Sequence, residues 1–496
     1  MSLRSVLYFI ISVLLLLLGV SFIFPKNGIK INSEFTLYFP TLDELLTVEN
    51  EYADIDDILL KNFNIDSLLL SGKNKKDDSL VLNPDKLKST IQQLEFGKEG
   101  AKVLYSFLSK LRSIKSEPQL IRVMHYGDSQ IECDRISSFL RYKLQNQFGG
   151  CGIGLMPVVQ PFDYQFALSV TPSDNWKRYT SYGSSDPSIT HRNYGFLASF
   201  CRFAPVYNDS IPNDTLLYTG TIDISPDKSG YNNAKKFKQL RMFYGNNKKA
   251  VSIEITNNGI THYDTLEISQ DIAVKKWVFE AYTDNLLIQL KGFDSPDIYA
   301  LAFDDTHGVA VDNIALRGNS GTIFTSLNYN NLSTSFNSIN TELFILQFGG
   351  NVLPWIDSEE DCKSYGRSFL SQLKRLKSIN PEAGIIVVGP ADKSVKEKDK
   401  YVSYKYIEPL IKEMKKSAFE GGAAYWDIYK AMGGKNSMPS WVNAELAGSD
   451  YIHFSTQGAS IIANMLYNAI IYEYNRYINT DISKQNKEKT ENDAKI

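Results

Sequence analysis

The hydrophobic pattern of the chain begins with an uncharged run at residues 6–24, directly after Arg4. As a helix, these 19 residues span roughly 29 Å, close to the thickness of the hydrocarbon core of a bilayer. The run predicts a signal anchor or a signal peptide over residues 1–25, and either one would export the rest of the chain. Gly19-Val20-Ser21 is only a mediocre match to a signal-peptide cleavage site, and the apolar run is longer than that of a signal peptide. Both features favour an uncleaved anchor with a cytoplasmic amino terminus.

Residues 26–97 are polar and irregular. They contain an acidic, leucine-containing stretch around 51–60 and the charged, turn-rich segment SGKNKKDDS at 71–79. This pattern predicts a stalk with some structure that joins the anchor to the body of the protein.

Residues 98–150 predict a helix, a strand, a tight turn and a second helix. The first helix is indicated by apolar residues at helical spacing, Leu104, Phe107, Leu108 and Leu111. A short apolar run at 120–124 then stops at Gly127-Asp128-Ser129, and the amphipathic stretch that follows ends at Gly149-Gly150.

Helical periodicity is absent from residue 151 to about residue 308. Short strand-like runs lie there between Asn, Gly, Asp and Lys turns: FKQLRMFY (237–244), VSIEI (251–255), YDTLEI (263–268), NLLIQL (285–290) and IYALAF (298–303). Several short strands with turn punctuation predict an all-β sandwich or jelly roll.

The alternation of strands and helices resumes over residues 309–475. The strand-like runs are VDNIAL (311–316), LFILQF (343–348) and GIIVVG (384–389), and the helical stretches lie near 361–376, 403–418 and 459–474. This is the pattern of an α/β fold with a parallel sheet covered by helices, so the β-rich segment is predicted to interrupt one domain. The polar residues 476–496 predict a disordered tail.

Composition narrows the functional classes. Fifty-three basic and 56 acidic residues give a net charge of −3, which offers no bulk attraction to nucleic acid. The four cysteines, Cys133, Cys151, Cys201 and Cys362, are too scattered for a disulfide scaffold or a C-x-x-C zinc site. One or two bridges remain open in an exported protein, and we expect no metal or cofactor.

Three loops that follow strands or precede a helix carry residues suited to chemistry. Gly127-Asp128-Ser129 places a hydroxyl at the start of a helix, and Gly349-Gly350-Asn351 places an amide donor after a strand. Asp450 and His453 precede the final predicted helix. Together these are the parts of nucleophilic acyl transfer: a hydroxyl, a base, an orienting carboxylate and an oxyanion donor.

Each motif alone is weak, because Gly-Asp-Ser and Gly-Gly-Asn are also ordinary turn sequences and Asp-x-x-His is often a solvated pair. Their joint order and their positions next to strands favour the chemical interpretation. The chain has only five histidines, so few bases compete for the role.

With these motifs the sequence resembles the SGNH (GDSL) hydrolase superfamily, which implies a flavodoxin-like parallel sheet. GDS resembles its first block, NIALRGNSGT (313–322) its second, GGN its third and DYIH (450–453) its fifth. The resemblance implies Ser129 as nucleophile, His453 as base and Asp450 as its orienter. It implies an oxyanion hole from the Ser129 and Gly321 N–H groups and the Asn351 side chain, with Gly318 as the alternative glycine.

The spacing of the blocks indicates a subfamily. Ser129 and Asn351 are 222 residues apart, whereas Asn351 and His453 are only 102 apart. An SGNH domain that is split after its first helix by a sandwich resembling a carbohydrate-binding module is similar to peptidoglycan O-acetylesterases. HYGDSQIECD (125–134) and WDIYKAMGGKNSMPSW (426–441) also resemble that family.

The resemblance implies an esterase that removes O-acetyl groups from a cell-envelope glycan, in the periplasm or cell envelope and tethered by the N-terminal helix. One alternative is an O-acetyltransferase that works with a membrane-bound acyl-transporting partner. Another is an inactive glycan-binding protein. Within the insertion, Trp277, Tyr282 and Tyr299 are either platforms for sugar rings or, more in keeping with their type, core residues. Trp355 either shapes the acyl pocket or packs its loop.

Overall fold

The computed structural model describes residues 3–25, 29–31, 36–37, 39, 52–61, 91–162, 167–184, 186–206, 216–398 and 400–493. The chain divides into two compact units, Met1–Asp54 and Ile55–Ile496.

The first unit contains helix α1, Leu3–Ile23, and the short antiparallel strands β1, Ile29–Lys30, and β2, Thr36–Leu37. By length and composition α1 could cross a membrane, although a signal sequence has the same character. Most of the predicted stalk, including its charged segment at 71–79, lies outside the described residues.

The second unit contains most of the described elements. Its strands are β3 Leu120–Gly127, β4 Gly154–Met156, β5 Leu168–Pro172, β6 Lys177–Thr180, β7 Ser199–Arg202, β8 Tyr218–Pro226, β9 Phe237–Gly245, β10 Val251–Asn257, β11 Ile260–Leu266, β12 Ala273–Thr283, β13 Leu286–Gly292, β14 Asp297–Asp304, β15 Gly308–Ala315, β16 Thr341–Gln347, β17 Gly384–Val388, β18 Ser394–Glu397, β19 Lys400–Ser403 and β20 Ala424–Trp426. Its helices are α2 Tyr105–Ser113, α3 Ser137–Phe148, α4 Tyr329–Ile339, α5 Glu359–Ile379, α6 Ile407–Glu420, α7 Ile428–Ala431, α8 Ser437–Asn443 and α9 Thr456–Asp493.

The α/β domain is built on a parallel sheet of order β15-β3-β16-β17-β20. Its strands are almost wholly buried because helices cover both faces. One face packs against α2, α3 and α9, and the other against α4, α5 and α6. The predicted α/β class is therefore confirmed, and the carboxyl ends of the strands share one edge.

The predicted β-rich insertion is a sandwich of two antiparallel sheets, of order β11-β10-β13-β8-β5 and β12-β9-β14-β7-β6, with β4 paired to β14. The facing sides of the two sheets form a core of their own. All of β14 is buried, since its other side packs with the apolar core of the α/β domain. The all-β expectation for the insertion is confirmed.

Buried ion pairs also join the sandwich to the α/β domain. The guanidinium of Arg122 on β3 donates to the carboxylates of Asp304 on β14 and Asp312 on β15. Arg241 of β9 pairs with Asp304 at 2.9 Å. A buried guanidinium is tolerated only when its charge is compensated in this way, so the two domains depend on each other at this point.

Three segments differ from expectation. The end of the predicted stalk joins the α/β domain, because Leu94 is buried and Glu95 exchanges backbone hydrogen bonds with Tyr425 of β20. The helix α9 continues to Asp493, through most of the segment 476–496 that was predicted to be disordered; its Lys, Glu and Gln residues favour a helix. The hairpin β18–β19 occupies a region without a predicted strand. All four cysteines are free thiols.

Candidate active site

A chain of two hydrogen bonds links Asp450, His453 and Ser129. The Oδ2 atom of Asp450 lies 2.7 Å from Nδ1 of His453, and Nε2 of His453 lies 2.8 Å from Oγ of Ser129. The structure thus brings Ser129 to a pair of side chains that lie more than 300 positions later in the sequence. In this arrangement Nδ1–H donates to the carboxylate, and Nε2 is free to accept the hydroxyl proton of Ser129.

The loop before α9 holds the imidazole and its carboxylate locally. Oδ1 of Asp450 accepts hydrogen bonds from the N–H groups of Ile452 and His453, at 2.9 and 3.0 Å. Partial burial raises the pKa of Asp450, but the hydrogen bonds from His453 and from these N–H groups outweigh it and hold the pKa below its usual range. The carboxylate is therefore ionised and can orient the ring at neutral pH.

The loop after β3 presents Ser129 at the carboxyl edge of the sheet. A side chain at Gly127 would place its Cβ only 2.9 Å from Ile131 and 3.1 Å from the carbonyl of Gln347, so glycine is required there. Oδ1 of Asp128 accepts from the N–H of Gln130 at 2.9 Å, which shapes the turn. The Gln130 side-chain amide donates to the Ile452 carbonyl. This hydrogen bond links the loop that carries Ser129, the serine loop, to the loop that carries Asp450 and His453, the histidine loop.

A buried network of hydrogen bonds around His125 supports the serine loop. Its Nδ1 lies 2.9 Å from Oγ of Ser137, and its Nε2 lies 3.2 Å from Oε1 of Gln347. Asn313 donates to Ser137 Oγ and to the carbonyl of Ile131, each at 2.8 Å. Because Oε1 of Gln347 can only accept, Nε2 of His125 carries the proton, and Nδ1 accepts from the hydroxyl of Ser137. Burial lowers the pKa of His125 to about 4, so this ring is neutral and structural.

The predicted oxyanion donors occupy adjoining loops. Asn351 lines the same cleft as Ser129, and its Nδ2 donates one hydrogen to the carbonyl of Asn319 at 3.1 Å, leaving the second available. The N–H of Gly321 donates to Oδ1 of Asn319 at 2.7 Å and is engaged in this structure. Gly321 has a φ of +80°, and a Cβ there would lie 2.7 Å from the ring of Phe348. The alternative, Gly318, has open space around its Cα.

The cleft at Ser129 has a volume of about 380 Å³ and is lined by two titratable side chains to which the motifs assigned no role, Asp128 of the GDS motif and Lys393. Burial raises the pKa of Asp128 to about 6, although the Gln130 N–H and the charges of His453 and Lys393 lower it. Burial lowers the pKa of Lys393 against the opposing charges of Asp128 and Asp450. Lys393 lies in the loop that follows β17, and this position after a strand was the one feature of the sequence that could have indicated a residue of the site.

The aromatic residues considered for sugar binding or for the acyl pocket differ in their solvent exposure. Tyr299 is buried in the core, as its residue type suggested, and Trp277 packs partly against the sandwich core. Tyr282 is 49% exposed and its hydroxyl donates to Asp305 at 3.0 Å. Trp355 neither packs its loop nor lines the cleft, because 82% of its surface is exposed. Within the described ranges, no three His, Cys, Asp or Glu side chains converge as metal ligands.

No protein-family model matches the chain, and no curated protein matches it. Several solved structures align with the chain. A peptidoglycan O-acetylesterase aligns at 17% identity and a TM-score of 0.59, over 77% of this chain and 99% of its own. A family two carbohydrate esterase from Cellvibrio japonicus aligns at 8% identity and a TM-score of 0.24, over 63% of this chain and 99% of its own.

The chain shares with the peptidoglycan O-acetylesterase a fold in which a parallel α/β sheet carries an inserted all-β domain. This confirms the fold that the four sequence blocks led us to expect. Of the structures compared above, the peptidoglycan O-acetylesterase shares the greater part of the chain.

Proposed function

We propose that the chain is an exported serine esterase that removes O-acetyl groups from a cell-envelope glycan. The observation that carries the proposal is the Asp450–His453–Ser129 chain, with distances of 2.7 and 2.8 Å. The similarity of fold to a peptidoglycan O-acetylesterase supports the choice of ester and of glycan. The apolar helix α1 supports export, with the enzyme tethered at the membrane.

In the first half-reaction, Oγ of Ser129 attacks the acetyl carbonyl while Nε2 of His453 takes the hydroxyl proton. The negative oxygen is held by the Ser129 N–H and the free Nδ2 hydrogen of Asn351. The Gly321 N–H joins them once the side chain of Asn319 turns away. The tetrahedral intermediate then collapses, the sugar oxygen leaves with the proton from His453, and the acetyl group stays on Ser129.

In the second half-reaction, His453 takes a proton from water while the water oxygen attacks the acetyl-serine. The tetrahedral intermediate then collapses, His453 returns the proton to Oγ of Ser129, and the acetyl group leaves as acetic acid, which ionises to acetate. The ionised Asp450 stabilises the imidazolium that forms in both halves. Interception of the acetyl-serine by a sugar hydroxyl instead of water would give the transferase reaction.

The test compares the full-length protein in detergent with its Ser129→Ala variant, and Ser252→Ala in the sandwich serves as a matched control. Acetate release is measured from O-acetylated peptidoglycan, O-acetylated xylan and a chromogenic acetyl ester. We expect Ser129→Ala to lower kcat by at least about 10³-fold on each substrate that the wild type hydrolyses. Mass spectrometry of the wild type after brief exposure should find one acetyl group on the peptide that contains Ser129.

Hydrolysis that persists in Ser129→Ala would refute the mechanism, and a wild type inactive on all three esters would refute the function. A glycan acceptor is added in a further arm. Acetylation of the acceptor at the expense of acetate release would identify a transferase.

A further inference from the structure

A second and larger cavity lies next to the carboxyl end of β15. Its empty space, which is open to solvent, amounts to about 700 Å³. It is lined by the end of β15, by the loop after Ser129, by residues within 153–162, and by Arg178 of β6 and Leu197 from the sandwich. We call it the interdomain cavity.

The interdomain cavity is close to the nucleophile. Its wall residues Asn313 and Ala315 are in register with His125 and Gly127 of β3, and neighbouring strands are about 4.8 Å apart. Ser129 follows Gly127 by two positions. A glycan whose acetyl group reaches Ser129 can therefore place an adjacent part of the same sugar chain in this cavity.

The charge of the cavity is unbalanced. Asp134 and Arg141 neutralise each other through two hydrogen bonds of 2.5 and 3.0 Å. Arg178 is the other charged residue of the described lining, so one positive charge remains. Its Nε and Nη2 donate to the hydroxyl of Ser199, each at 3.2 Å, and Nη2 lies 3.4 Å from that of Tyr182. In the part of the chain that the structure describes, no carboxylate pairs with Arg178.

The rest of the lining suits a sugar ring. Leu155, Leu197 and Phe162 supply apolar surface, and Arg317 at the rim lies with its guanidinium 5.8 Å from the Phe162 ring. A half-buried guanidinium next to apolar surface recognises a planar anion such as a carboxylate, because its N–H groups match the two oxygens. A neutral glycan would leave this charge without compensation.

We propose that the interdomain cavity is a glycan subsite that binds a carboxylate-bearing group attached close to the acetylated position of the glycan, with Arg178 as the carboxylate ligand. The proposal rests on the proposed function and makes the enzyme selective for anionic O-acetylated glycans. The inserted sandwich then contributes directly to substrate choice, through the strand that carries Arg178.

The test uses the full-length protein and soluble O-acetylated peptidoglycan fragments, either untreated or with their carboxylates converted to neutral methylamides. We expect wild-type kcat/KM to be about tenfold higher on the untreated fragments. Arg178→Gln should remove that preference by raising KM about tenfold on the untreated fragments only. The matched control is Lys177→Gln on the neighbouring exposed position of β6, which should keep the preference.

Activity on the chromogenic acetyl ester, which is too small to reach the cavity, reports on the fold and on the triad. An equal kcat/KM of the wild type on the two fragment preparations would overturn the subsite, even if every variant failed to fold. A parallel loss on the small ester in Arg178→Gln would assign Arg178 a structural role and overturn it as well. Failure of the proposed function would instead appear as a wild type inactive on all the esters.

Discussion

The two ends of the Asp450–His453–Ser129 chain are built differently. The Ser129 end is supported by a buried network of side chains from β3, β15, β16 and α3. The Asp450–His453 end is formed within four consecutive residues, and the side chains of Asp450 and His453 are 48% and 31% exposed. One end therefore depends on the folded sheet, and the other on a short loop.

The histidine loop compensates for its exposure by contacts with the hairpin β18–β19. Tyr451, which has a positive φ of 57°, stacks on Tyr401 of β19 with 3.5 Å between ring centroids. The Tyr451 carbonyl also accepts a hydrogen bond from the N–H of Ser394 at 3.1 Å. The comparison indicates that rigidity at the nucleophile comes from burial, whereas rigidity at the base comes from local hydrogen bonds and one stacked pair.

The largest effect should follow from His453→Ala, which removes the proposed base and leaves the buried end intact. We expect kcat to fall on the order of 10⁴-fold with little change in the free energy of unfolding. Steady-state kinetics and urea unfolding measure the two quantities. The control is His307→Ala, which changes a half-exposed histidine between β14 and β15. A variant that keeps its activity would contradict the assignment.

Asp450→Asn tests whether the exposed end orients the ring. The amide has no negative charge, and its NH2 group can donate to Nδ1 of His453, so the imidazole loses its preference for the tautomer with the proton on Nδ1. We expect kcat to fall on the order of 10³-fold, with KM almost unchanged. Asp284→Asn in an exposed turn should leave both constants at wild-type values. A loss confined to KM would show that Asp450 binds substrate instead.

Asp128→Asn tests the burial of the carboxylate next to Ser129 through the pH dependence of the free energy of unfolding. The folded-state pKa of Asp128 is about 6, above the ordinary value of 3.8, so its contribution to stability is present below about pH 4 and is lost as the pH rises through 6. The variant should gain up to about 3 kcal/mol over the wild type between pH 4 and pH 7. Urea unfolding at several pH values measures this, and parallel stability curves would contradict it.

The smallest effect is expected at Trp355, which follows Asn351 and is 82% exposed. If the substrate is a glycan, this ring can stack on a sugar, and Trp355→Ala should raise KM for the O-acetylated glycan several-fold to about tenfold. Activity on a small acetyl ester should not change. Tyr263→Ala, at an exposed ring on β11, is the matched control. Equal KM values in variant and wild type would exclude such stacking.

The sequence allowed prediction of the α/β class, the inserted β-rich segment and the loops of Ser129, Asn351, Asp450 and His453. These features leave short-range signals: the apolar runs, the turn residues at strand ends and the local Asp-x-x-His spacing. Placement after parallel strands was enough to expect that the loops share one edge of the sheet.

Other features left no such signal. The His125 network depends on Ser137, Asn313 and Gln347, which meet only when β15 and β16 flank β3. Lys393 and Gln130 are ordinary polar residues until the fold places them beside Ser129. That Arg178 has no carboxylate partner could be recognised only from the cavity that the two domains form together. That the N–H of Gly321 is hydrogen-bonded could be recognised only from the position of the Asn319 side chain.

The pairing of β3 with β15 has a consequence for the order in which the protein folds. Leu120 pairs with Gly308, 188 positions later, and the segment between them contains the rest of β3, the Ser129 loop, α3 and the entire sandwich. Such distant partners slow folding unless the intervening chain first becomes compact. We expect the sandwich to fold before the sheet closes, with β4 and β14 bringing β3 and β15 together. Until that moment the serine loop has no support, so the enzyme cannot be active while its sandwich is unfolded.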